Sequence, residues 1–223
     1  MDTVTLSKQN RLFWLGRYAE RVYTTTQYMM KQYDRLIDGE SVDYASFCET
    51  MGIPCFYESG NDFCRRYLFD GLSPYSVRSS VEAMLGNGMV LRETITSPTL
   101  AYLQMARNAM VLAENSESPV VELQWVMDDI MAFRGSFDDS VETEEARNIT
   151  KAGGMVEHIS LMLRLGWQTE RLDRELQKLL NRLYKTSLPV NQTALDTIMC
   201  KAVYREAVDR PELLRSVEGL FCV

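Results

Sequence analysis

Leu12, Leu15, Ala19, Val22, Met29, Tyr33 and Leu36 follow one another in alternating steps of three and four residues, and only Thr26 interrupts the series with a polar side chain. That alternation places all of them on one stripe of an α-helix. A stripe sustained this long needs other helices along its whole length to bury it, which is the condition of a helical bundle. The pattern begins near Ser7 and Gly39 closes it, so a helix is expected over about 8–38.

The rest of the chain repeats the demand. Ser-Pro occurs at Ser73-Pro74, Ser97-Pro98 and Ser118-Pro119, each ahead of a helical pattern. Serine suits the N-cap, and proline suits the first helical turn, where its missing N–H costs nothing. Helices are expected at 74–95, 98–115 and 119–135, the first with a core stripe of Val77, Val81, Met84, Gly88, Leu91 and Ile95. A second long helix is expected over 142–186, with a kink at Gly153-Gly154. Shorter ones follow at 192–208 and from Pro211, and "MGIPCFYESGND" reads as a loop between two short helices. No segment alternates with hairpin chemistry. The expectation is all-α: an antiparallel helical bundle with two long helices, 8–38 and 142–186, forming one domain over 1–223.

Composition narrows the partners. A net charge of −7 disfavours nucleic acid or an anionic membrane surface. Five cysteines, with no C-x-x-C spacing and one histidine in the whole chain, argue against a disulfide framework and a structural zinc site. No apolar run reaches the length of a membrane span or signal peptide, so a cytoplasmic setting is expected.

Both long helices carry the same spelling. "LGRYAER" (15–21) and "LGWQTER" (165–171) share L-G-x-x-x-E-R. On helical spacing Glu20 belongs to a stripe of Phe13, Gly16, Tyr23, Gln27, Met30 and Ile37. Glu170 belongs to one of Val156, Ile159, Leu163, Gly166, Asp173, Gln177 and Leu180. Both stripes are apolar outside and polar within, so the carboxylates are expected to be at least half buried and to meet inside the bundle. A glycine inside a helix costs about 1 kcal/mol against alanine. Gly16 and Gly166 therefore imply either a close helix approach or space for a ligand. Arg78 could meet one of these glutamates or close on Glu82 at i,i+4.

Three stretches resemble the bacterial alpha-E domain family. "RLFWLGRYAERVYTTTQYM" (11–29) resembles its opening helix, "FDGLSPYSVRSSV" (69–81) its central turn and helix start, and "MLRLGWQTERLDRELQ" (162–177) its later motif. The resemblance implies an all-helical protein whose glutamates and arginines fall here on Glu20, Arg21, Glu170 and Arg171, with Asp173, Arg17 and Arg78 also matching. It implies ATP-grasp or transglutaminase-like partners and a link to peptide or amide-bond-forming modification. The central helix departs: "MLGNGM" (84–89) keeps Asn87 but has Gly86 where a glutamate is expected.

Two functions follow. The first is an accessory or interaction subunit of such a system, binding a peptide or its partner enzyme in a helical groove. The second is an enzyme in which Glu20, Glu170 and Asp173 act as acid/base groups or hold a hard cation such as Mg²⁺. Arg17, Arg21, Arg78 and Arg171 would then bind an anionic substrate. No cofactor is called for. A di-iron bundle would want Glu-x-x-His pairs, and the single histidine, His158, directly follows Glu157. His158 reads as an ordinary surface or half-buried residue. The first function is the better supported, because Gly86 replaces a glutamate and no nucleophile can be named.

Overall fold

A computed structural model of the protein describes residues 4–222. They form ten α-helices, one 3-10 turn and no strand; Val190 and Phe221 make an isolated antiparallel bridge. The helices are α1 (Leu6–Ile37), α2 (Tyr44–Met51), α3 (Gly60–Phe69), α4 (Val77–Val90) and α5 (Ser97–Glu114). They continue as α6 (Val120–Ser140), α7 (Glu144–Leu165), α8 (Leu172–Leu183), α9 (Gln192–Ala202) and α10 (Arg210–Glu218). No described helix is long and apolar enough to cross a membrane.

The chain divides into two compact units. One contains residues up to Glu20 and from Glu142 onward, and the other contains Arg21–Val141. Helix α1 contributes to both. Its stripe is realised as spaced: Leu12, Leu15, Ala19, Val22, Thr26 and Met29 are all buried.

In the unit of residues 21–141, α5 and α6 pair most extensively and α4 packs on α5. The core stripe read for α4 is buried at every position. The Ser-Pro signals mark helix starts with small shifts of capping residue. Ser76 caps α4 and Thr96 caps α5, while Pro119 takes the N-cap position of α6. Tyr28, Phe47, Phe63 and Tyr67 stack and edge against one another at centroid separations of 4.8–5.5 Å. Arg78 pairs with Glu114, and Glu82 receives Arg107 instead. The expected i,i+4 pair gives way to two bridges between α4 and α5, which tie neighbouring helices together.

In the other unit, α7 packs against α8 and α10, and α9 against α8 and α10. The second long helix of the sequence reading is broken. Helix α7 stops at Leu165, Gly166 takes a left-handed conformation at φ 69°, and Thr169–Arg171 form the 3-10 turn before α8 begins. The N–H groups of Gly166 and Trp167 both return to the carbonyl of Met162. This is a glycine C-cap, which only a residue without a β-carbon adopts cheaply. Gly153-Gly154, expected as a kink, lies within continuous helix.

Candidate functional site

Gly16 faces the middle of α7. A β-carbon there would overlap the carbonyl oxygen of Thr150 and stand 2.8 Å from its carbonyl carbon. A β-carbon on Gly153 would likewise overlap the carbonyl oxygen of Phe13 and lie 2.9 Å from its carbon. The two backbones touch, so of the two reasons for a glycine at 16, the close helix approach is the one realised.

Such an approach brings the side chains one turn further along each helix together. Arg17 Nε donates to Glu157 Oε2 at 2.7 Å, and both side chains are buried, at 10 and 3% exposure. The Arg17 guanidinium also lies 4.9 Å from the centre of the Trp14 ring, within cation–π range. Beside this pair, Glu20 Oε1 is 2.9 Å from His158 Nδ1. Glu20 is largely buried and the imidazole about one-third exposed. A carboxylate on Nδ1 orients the ring.

His158 and Glu157 are the residues that sequence reasoning passed over. A signal existed: Gly153-x-x-x-Glu157 and Gly154-x-x-x-His158 repeat the Gly16-x-x-x-Glu20 spacing. The structural counterpart of "LGRYAE" is therefore "GGMVEH" (153–158), not "LGWQTE".

The second motif lands elsewhere. Glu170 and Arg171 sit on the exposed 3-10 turn, 71 and 62% exposed, and 3.8 Å apart. Asp173, 55% exposed, faces Lys201 at 3.7 Å. The interior stripe read through Glu170 ends at Leu163 because the helix ends there. Among the described residues no three His, Cys, Asp or Glu side chains converge as a metal site, so Glu20, Glu170 and Asp173 do not assemble the oxygen cage a Mg²⁺ ion would need. Two further binding candidates, Arg21 and Arg78, lie in the unit of residues 21–141. Arg21, the first residue of the other unit, receives Thr25 Oγ1 on its carbonyl at 2.7 Å. Arg78 is held by Glu114.

The second motif does border a cavity. Met162, Leu163, Trp167, Thr169, Leu172, Lys201, Val208, Arg210 and Leu213 enclose about 170 Å³. Its shape follows from the broken helix. Gly166 turns the chain, so the 3-10 turn and the start of α8 stand off from α10. Arg210 crosses to donate through Nε and Nη2 to the carbonyl of Leu163, and through Nη2 to that of Arg164 at 3.3 Å. A cation on the last carbonyls of a helix satisfies them and offsets the negative end of its dipole. Helix α10 is fixed to α7 by Glu218 as well, which accepts from Ser160 Oγ at 2.6 Å and Arg164 Nη2 at 2.8 Å.

These features define a helical protein with one close-packed polar helix crossing and one amphiphilic cavity at a Glu-Arg turn. The chain belongs to the Alpha-E family, described as a predicted alpha-helical domain with a conserved ER motif, whose family model matches residues 8–220. The two Glu-Arg dipeptides of this chain are Glu20-Arg21 and Glu170-Arg171. No curated protein matches the chain. No solved structure matches it either.

Proposed function

We propose that the protein is an accessory binding subunit of an amide-bond-forming modification system of the ATP-grasp-linked kind. In this reading it holds a peptide segment of a substrate or partner enzyme in the cavity beside Trp167 and Thr169. The observation that carries it is the cavity itself: apolar walls, two cationic side chains, and a volume close to that which accepts a benzene-sized group. One side chain of a peptide fits there, whereas a whole small-molecule substrate commonly takes about 300 Å³ or more. The exposed Glu-Arg turn at its mouth supplies a polar rim. Cys55 and Cys222 are exposed free thiols, as a reducing cytoplasmic setting allows.

The test is a calorimetric titration of the purified protein with an ATP-grasp protein of the proposed system. Thr169 is exposed at the cavity, so Thr169→Trp should block the opening without disturbing the core. A loss of affinity of tenfold or more supports the reading; unchanged affinity removes the cavity from it.

A second reading rests on Glu20 and His158, since an imidazole oriented by a carboxylate is a competent acid–base pair. His158→Gln separates the two. It abolishes turnover if the pair is catalytic, and it leaves partner binding intact if the protein only binds.

A further inference from the structure

We infer that the cavity between α7, the 3-10 turn and α10 recognises the free C-terminal carboxylate of a peptide whose last residue is aliphatic. This rests on the proposed reading of the cavity as a peptide site and specifies its ligand. Three polar groups lining the cavity have hydrogen-bonding capacity left over. Arg210 uses Nε and Nη2 on the last carbonyls of α7, and its Nη1 makes no hydrogen bond among the described residues. Among the described residues, Lys201 has a long 3.7 Å ion pair with the exposed Asp173, and its ammonium donates no hydrogen bond. The exposed Thr169 hydroxyl bonds no other group among the described residues.

All three are donors, and none of the residues lining the cavity is acidic. In a protein of net charge −7, the cavity lining thus carries two cationic side chains beside apolar surface. A ligand that satisfies it must be anionic at one end and apolar beside that end. Met162, Leu172 and Leu213 form the apolar wall. A carboxylate accepts from a guanidinium and an ammonium together, with charge assistance on both bonds. The guanidinium is already held by the α7 carbonyls, so little side-chain freedom is lost on binding. Exchanging the exposed Asp173 for the ligand at Lys201 costs little, because such a pair is weak in water. The volume suits one aliphatic side chain, and the cationic groups beside it select a residue that carries a free carboxylate.

The experiment titrates the full-length protein with N-acetylglycyl-leucine, its C-terminal amide, and 4-methylpentanoate, followed by calorimetry. The free acid should bind at least tenfold more tightly than the amide. Lys201→Gln should bring the acid down to the level of the amide while leaving the amide unchanged and the melting temperature unaltered. Equal binding of acid and amide overturns the carboxylate inference and leaves the peptide cavity standing. Binding of 4-methylpentanoate as tight as that of the peptide acid overturns the peptide source. Absence of binding by acid and amide overturns the inference; the proposed function falls with it only if Thr169→Trp also leaves partner affinity unchanged.

Discussion

Gly16 of α1 lies against the backbone of Thr150 in α7 so closely that a β-carbon on Gly16 would overlap the Thr150 carbonyl. Neither side can yield cheaply, because both are helix backbone. Gly16→Ala should therefore destabilise the protein by about 3 kcal/mol, the upper end for overpacking, and Gly153→Ala should behave the same way against Phe13. Gly154 differs, since its β-carbon would stand 3.5 Å from the Gly16 carbonyl oxygen, an ordinary contact. Gly154→Ala should be neutral or mildly stabilising. Urea unfolding of the three variants decides it, and equal effects at 16 and 154 would contradict the crossing.

Arg17 and Glu157 are the charges this crossing encloses. Glu157→Leu leaves the buried Arg17 guanidinium without this carboxylate, so it should cost about 3–5 kcal/mol. The double variant Arg17→Met/Glu157→Leu should recover most of that loss, because an apolar pair needs no desolvation. Additive losses in the double-mutant cycle would show that the pair is not coupled.

Gly86 occupies the position where the family resemblance led us to expect a glutamate. It is exposed on α4, and a β-carbon there meets nothing within 4 Å. Gly86→Ala should raise stability by about 0.5–1 kcal/mol through helix propensity alone. Gly86→Glu should also fold and gain nearly as much. A fall in melting temperature for the alanine variant would refute the open geometry.

Alkaline pH should weaken the unit of residues 21–141. Burial pushes the Cys48 and Cys64 thiols up to about 12, with Cys55 adding to the effect at Cys48, and burial likewise lifts the Tyr33 and Tyr57 hydroxyls to about 12. A raised pKa in the folded state means that the folded protein holds its proton more tightly. The stability contributed is full below the unfolded pKa, near 9 for thiols and 10 for tyrosines, and is lost as pH rises towards 12. The urea midpoint should fall steadily between pH 9 and pH 11. Replacing Cys64 with alanine should flatten part of that slope, and a pH-independent midpoint would sink the prediction.

The helices were legible because burial writes itself into period. The stripe from Leu12 to Met29 and the α4 stripe from Val77 to Ile95 are buried as spaced, and the Ser-Pro starts fall within a few residues of the observed helix starts. The meaning of a glycine was not legible. Gly16 and Gly166 stand in the same four-residue context, yet one is a contact between helix backbones and the other a left-handed cap at φ 69°. Sequence periodicity states which residues share a face of their own helix. It carries no information about which distant face they meet, so the pairing of Glu20 with His158 stayed hidden.

The sequence by itself determined an all-helical chain, the positions of most helices and the Alpha-E resemblance, since these rest on local spacing and short motifs. Only the tertiary structure decided that α7 ends at Leu165, where Arg210 closes its last carbonyls, so that Glu170 turns outward and a cavity opens beside it. A helix end is fixed by the groups that satisfy its carbonyls; here the local glycine cap takes that of Met162, and the group that takes that of Leu163 lies 47 residues away in the chain.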